Sequence, residues 1–274
     1  MMRHLLLFLF IGLCGGLAAQ GTDEQLAAQY LGQGDYQRAA LYYDKLYKGQ
    51  PSTHNYEQLF KCRVALKEYE EAAKLAKDQS RRQGNEPRFL VDMGAVAKLM
   101  GDAGKAEDYF NKAMKGLKPE VGSVRSLANA FQKAEETERA LQVYERGKKT
   151  IKDGGWSFDY EIAELYAAKG DIPAMTATYM DLLAVNPSYL QTVQNGLARY
   201  IDFTKSDERT GMLRTELLRR SQKDPDNTIF QEMLIWQYLQ QKDLTGAFVQ
   251  SKAMDKRFNE GGHRLMELAE IAVT

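Results

Sequence analysis

Two cysteines, six prolines and three histidines in 274 residues exclude several kinds of chemistry. Cys14 falls in an apolar N-terminal stretch, which leaves Cys62 alone in the rest of the chain. One thiol cannot close an internal disulfide, so the fold must be held by packing. His4, His54 and His263 are scattered singly, with no His/Cys grouping at metal-ligand spacing. Lys plus Arg equals Asp plus Glu, 37 against 37, so no net field draws the chain onto nucleic acid. No Walker-type glycine loop, G-x-S-x-G or H-E-x-x-H is present. The glycine-rich "DGGWS" at Asp153 to Ser157 lies between two units of the pattern described below, and reads as a connection rather than a phosphate cradle. The expectation is therefore a non-catalytic chain with no cofactor and no metal.

The first nineteen residues differ from the rest. Arg3 and His4 precede nine apolar residues, Leu5 to Leu13, and then small residues. This is the layout of a secretory signal peptide, with cleavage after Ala18 or Ala19; the alternative is an N-terminal anchor helix. The apolar run is short for a bilayer span. A lipoprotein reading of Cys14 needs a small residue just before it, and Leu13 stands there, so Cys14 is assigned to the discarded segment. An exported chain is expected, periplasmic or associated with an outer membrane.

Beyond residue 20 the sequence repeats. An alanine follows a turn as Ala39 in "GDYQRAA", Ala72 in "KEYEEAA", Ala106 in "GDAGKAE" and Ala140 in "EETERAL". The same slot holds Met175 and Ala247. The steps are 33, 34, 34, 35 and 72, the last taken as two steps of 36. Twelve residues before each stand Ala27, Phe60, Gly94, Ala128, Ala163 and Ile235; four residues after come Tyr43, Ala76, Phe110, Tyr144, Tyr179 and Ser251. Gly34, Gly101 and Gly170 suit positive φ at the end of a first helix. Asp35, Asp102 and Asp171 suit the start of a second. Pro51, Pro119, Pro187 and Pro225 stop the second helix. Helix pairs of this kind cannot bury their apolar faces alone and must stack.

This pattern resembles the tetratricopeptide repeat family, whose 34-residue unit carries small residues at positions eight, twenty and twenty-seven and proline at thirty-two. The resemblance implies an all-α fold, an α-solenoid of antiparallel helix pairs filling residues 20–274. Units start near residues 20, 53, 87, 121, 156, 192 and 228, the sixth being degenerate. Residues 262–274 form a capping helix or a partial further repeat. The tyrosines at helical spacing read as core, and Cys62 as a buried structural thiol.

Helix A lines the concave groove in this family, which implies a binding role for its second, fifth, ninth, twelfth and thirteenth positions. These are Arg88, Val91, Ala95, Lys98 and Leu99 in the third unit, and Gly122, Arg125, Asn129, Gln132 and Lys133 in the fourth. Tyr160 and Glu164 follow in the fifth, and Trp236 in the seventh. The set is polar and net basic, suited to a peptide backbone or a carboxylate. Arg125 and Asn129 match two positions of the carboxylate clamp found in some members, but Glu161 stands where the clamp wants asparagine. The expected partner is a protein or peptide of the cell envelope, within a membrane-associated complex, and not nucleic acid. The alternatives are the repeat region of a larger enzyme, or a glycan-binding module in which Tyr160 and Trp236 stack on sugar.

Overall fold

A computed structural model describes residues 23–151 and 157–273. The leader at residues 1–19, with Cys14, and the core of the "DGGWS" connection lie outside the described residues. Among the described residues every regular element is helical. The first is α1 over residues 23–32. Then follow α2 Tyr36–Gly49, α3 Thr53–Ala65, α4 Tyr69–Arg82, α5 Arg88–Leu99, α6 Ala103–Lys115, α7 Val121–Lys133 and α8 Thr137–Thr150. The rest are α9 Asp159–Ala168, α10 Ile172–Val185, α11 Leu190–Tyr200, α12 Glu208–Lys223, α13 Ile229–Gln240, α14 Leu244–Phe258 and α15 His263–Val273. Odd-numbered helices are the A members of successive pairs and even-numbered helices the B members. The chain forms two compact units, residues 1–143 and 144–274, with the boundary inside α8. No described helix is long and apolar enough to cross a membrane.

The repeated slots explain the pairing. Ala39, Ala72, Ala140, Met175, Leu213 and Ala247 are fully buried, and Ala106 nearly so. A small side chain at this slot lets the B backbone lie close to its neighbours. The large residue one turn later, Tyr43, Phe110, Tyr144 or Tyr179, fills the space around that contact and is itself buried. Gly94 on α5 shows how tight the fit is: a Cβ there would sit 2.5 Å from the Phe110 ring on α6. Such distances forbid any side chain without movement of the ring.

The turn between A and B is the same object six times over. The backbone takes positive φ at Gly34, Lys67, Gly101, Glu135, Gly170 and Lys242. In each case the next amide reaches back five residues to the end of helix A: Asp35 N to Tyr30 O, Glu68 N to Arg63 O, Asp102 N to Ala97 O, Glu136 N to Phe131 O, Asp171 N to Tyr166 O and Asp243 N to Tyr238 O, all at 2.8–2.9 Å. This is the Schellman closure of a helix C-terminus. The same residue then caps helix B. Asp35, Asp102, Asp171 and Asp243 accept from the amide three residues on, at 2.8–3.0 Å. Glu68 makes no such bond.

The sixth pair corrects the sequence reading. Its small residue is Gly196 on α11, where a Cβ would lie 2.5 Å from the Tyr179 hydroxyl. Gly196 stands 33 residues after Ala163 and 17 before Leu213, whereas the other pairs keep 12. The interval of 72 is thus 38 plus 34, not two steps of 36. Five added residues enlarge one turn, residues 201–207, which buries Ile201 and Phe203 and ends in a capping box between Asp207 and Thr210.

Two substitutions probe this architecture. Ala106→Trp overpacks the slot facing α5 and lowers stability by about 1–3 kcal/mol, read from thermal or urea unfolding followed by circular dichroism. Lys67→Gly relieves a left-handed lysine and raises stability by about 0.5–1 kcal/mol, the relief being partly offset by the freer unfolded chain.

Candidate functional site

The A helices α3, α5 and α7 of the first unit carry most of the residues singled out from sequence, and ion pairs tie them together. Glu57 on α3 receives Arg88 Nη1 of α5 at 3.4 Å and Lys133 Nζ of α7 at 3.0 Å. Arg88 also donates to Thr53 Oγ1 at 3.5 Å, and its guanidinium lies 4.4 Å over the Phe89 ring. It is therefore a half-buried strut rather than a free cation. Lys98 donates to Glu136 at 2.7 Å, and Glu136 also holds Arg139 at 3.3 Å. Arg125, Asn129, Gln132 and Lys133 are exposed along α7. Val91, expected on the groove side, is completely buried. Leu99, expected beside Lys98, is half exposed together with Met100 and supplies an apolar edge to the polar surface.

Beneath this surface lies a half-buried acid that the periodic pattern does not mark. Tyr56 on α3 donates to Asp92 Oδ2 on α5 at 2.6 Å. Burial pushes the Asp92 carboxyl up to about 6, against the pull of the Tyr56 hydrogen bond and the positive charges of Arg88 and Lys133; Glu57 adds to the rise. Tyr56 is itself held well above the usual tyrosine range by burial and by the Asp92 charge. The signal was present: Asp92 is the sole carboxylate in the otherwise apolar "RFLVDMGAVAKL".

In the second unit Glu164 on α9 plays a similar part. It accepts from the Tyr179 hydroxyl, from Arg199 Nη2 at 2.6 Å and from Tyr200 at 3.5 Å. Tyr160 is half-buried and packs on Tyr179 with ring centroids 6.2 Å apart. Trp236 on α13 meets Phe203 of the long turn edge-on at 4.9 Å. Both rings belong to the flank of the second unit's core. Both rings are partly exposed there.

Cys62 is fully buried with its thiol pushed by burial to about 11. His54 packs edge-on against Tyr43. Among the described residues no group of three or more His, Cys, Asp or Glu side chains is placed to hold a metal. The chemistry on offer at the first unit is hydrogen bonding and charge.

The raised Asp92 carboxyl makes stability depend on pH. Its folded value lies above the unfolded value near 3.9, so folding binds the proton more tightly than the unfolded chain does. The contribution is present below about pH 4 and is lost as pH rises through about 6, by at most about 3 kcal/mol. Asp92→Asn keeps an acceptor for Tyr56 and removes the ionisation. The variant should lose this part of the decline between about pH 4 and 6, read by thermal unfolding across that range.

No protein-family model and no curated protein matches this sequence. Solved structures with similar helix arrangements include the MamA protein, 16% identical, with 63% of this chain and 94% of that one covered at a TM-score of 0.32. The TPR2AB domain of yeast Sti1, solved in complex with pHSP90, is 15% identical, with 93% and 97% covered at 0.32. The C-terminal part of a TPR repeat-containing protein from Cytophaga hutchinsonii is 16% identical, with 85% and 94% covered at 0.32.

Proposed function

We propose that the chain is exported and serves as a non-catalytic scaffold in a bacterial cell envelope, holding a protein or peptide partner along the A-helix face of its first unit. The observation that carries this reading is the exposed row Arg125, Asn129, Gln132 and Lys133 on α7, set beside Lys98 and Leu99 on α5. The row mixes hydrogen-bond donors, an amide and an apolar edge, which suits an extended peptide better than a small metabolite. The Glu57–Arg88–Lys133 pairs hold α3, α5 and α7 in register, so little conformational freedom is lost when a partner binds.

The charged start, short apolar run and small-residue exit of residues 1–19 support export, with a membrane-associated assembly or secretion complex as the setting. Glu161 stands where the carboxylate clamp of some tetratricopeptide repeat proteins carries asparagine, so the full clamp motif is absent from the sequence. Arg125→Glu combined with Lys133→Glu should weaken partner capture from envelope extracts about tenfold or more while leaving the helical circular dichroism unchanged. Recovery of the same partners by the double variant would remove the A face from consideration.

A further inference from the structure

Every helix C-terminus carries partial negative charge, so cations gather there whatever the protein does. The first unit has two sets of such ends, and it treats them differently. The A helices end on one edge with Arg63, Lys98 and Lys133. Each meets a carboxylate: Arg63 meets Glu68 at 3.3 Å, Lys98 meets Glu136 at 2.7 Å and Lys133 meets Glu57 at 3.0 Å. The B helices, running the other way, end on the opposite edge, where the last-turn Lys48 of α2 meets Asp44 at 2.5 Å. There α4 ends in Arg81 and Arg82, with Lys77 a turn earlier, and α6 ends in Lys112 and Lys115, with Lys118 just beyond. All six are exposed, and among the described residues only Arg81 has a carboxylate within reach, Asp78 at 3.7 Å.

These helix ends share one surface. Tyr47 at the end of α2 donates to Gln79 of α4 at 2.7 Å. Gly116, just past α6, packs so closely on Pro87 that a Cβ there would lie 2.9 Å from the proline ring. The ends of α4 and α6 therefore flank the same linker, residues 83–87. The chain also enters the fold here, since Lys45 of α2 holds Asp23 at the start of α1 at 2.6 Å.

We infer that the B-helix edge of the first unit docks on an anionic membrane surface, its lysines and arginines resting among phosphate-bearing lipid headgroups. The helix dipole explains why cations stand at these ends. It does not explain why α4 and α6 gather six exposed cations of which only Arg81 is paired, when α2 ends in a Lys48 held by Asp44 at 2.5 Å. A protein partner would want an apolar or aromatic centre and few lysines. The large exposed hydrophobic residues of the unit, Leu41, Leu99 and Met100, all lie away from these ends. A nucleic acid would be served by exposed rings for stacking, and Tyr109, the ring nearest Lys112, is half-buried. A headgroup layer asks only for charge near its plane, and each Lys or Arg there adds about fivefold to binding.

The test is vesicle flotation of the full chain at physiological salt. Phosphatidylcholine vesicles are compared with vesicles that also contain phosphatidylglycerol, so that any contribution of the apolar N-terminal stretch appears in both. The chain should prefer the anionic vesicles, and the preference should fall as salt is raised. The triple variant Lys77→Gln, Lys115→Gln and Lys118→Gln should lose about a hundredfold of the binding to anionic vesicles. The triple variant Lys61→Gln, Lys67→Gln and Lys98→Gln, on the other edge, should change it only a few-fold. Equal binding to both vesicle types overturns the proposal. So does an equal loss in the two triple variants, or retention of a single-stranded oligonucleotide in preference to the anionic vesicles.

Discussion

A side chain no larger than a methyl group, buried at the same point of nearly every B helix, is the constraint on which the rest of the structure depends. Ala39, Ala72, Ala106 and Ala140 occupy that point in the first four pairs. Because the backbones approach so closely there, the neighbouring apolar surface must be filled from elsewhere, and the aromatic residue one turn on does this. Tyr43, Phe110 and Tyr144 are buried for that reason and take no part in recognition. In these pairs the close approach leaves little room for a larger residue at the slot, whereas α10 and α12 are built around Met175 and Leu213 there. The A helices are then fixed in position and orientation, and their outward positions become a surface of defined spacing.

The periodicity made most of this readable. Small residues and turn glycines recur at fixed intervals because each must satisfy a steric condition that repeats. Where the backbone itself met the condition, the letters went quiet. Lys67, Glu135 and Lys242 adopt the left-handed conformation that Gly34, Gly101 and Gly170 adopt, since the six-residue closure and the packing of both helices over-determine it. A lysine gives no sequence sign of this. Gly196 was hidden by a different cause. The five residues added between Gly196 and Leu213 lengthen that interval from 12 to 17, so counting back the usual 12 from the helix-B slot misses the glycine. The insertion is tolerated because Ile201 and Phe203 give the longer turn a core of its own.

The candidate surface was legible at the level of position but not of partnership. Position in the unit placed Lys98, Arg125, Asn129, Gln132 and Lys133 outward, and they are exposed. It could not show that Lys133 reaches back across two helices to Glu57, or that Arg88 is spent on the same carboxylate. Such contacts join residues 31 to 76 positions apart and depend on how successive A helices lean on one another. Asp92 was missed because a single acid in an apolar helix looks like noise in a periodic pattern. In the fold it is the acceptor that joins α3 to α5 beneath the ion pairs.

The two kinds of polar contact respond differently to an incoming ligand. Lys133 is largely exposed and its pair with Glu57 is only partly shielded, the class of interaction whose net worth is about 0–1 kcal/mol. A partner carboxylate can replace Glu57 at that lysine with little penalty. The Tyr56–Asp92 bond is better shielded, with Tyr56 buried and Asp92 half-buried, and breaking it leaves the phenol without a partner. The surface is therefore exchangeable at its outer layer and fixed at its inner one. That combination suits a site that must hold its shape while giving up its own salt bridges to a visitor. It also sets the sign of selection: because Glu57 already occupies the place of an acid, an acidic group on the partner substitutes for it, whereas a basic group meets Arg88 and Lys133 and is repelled.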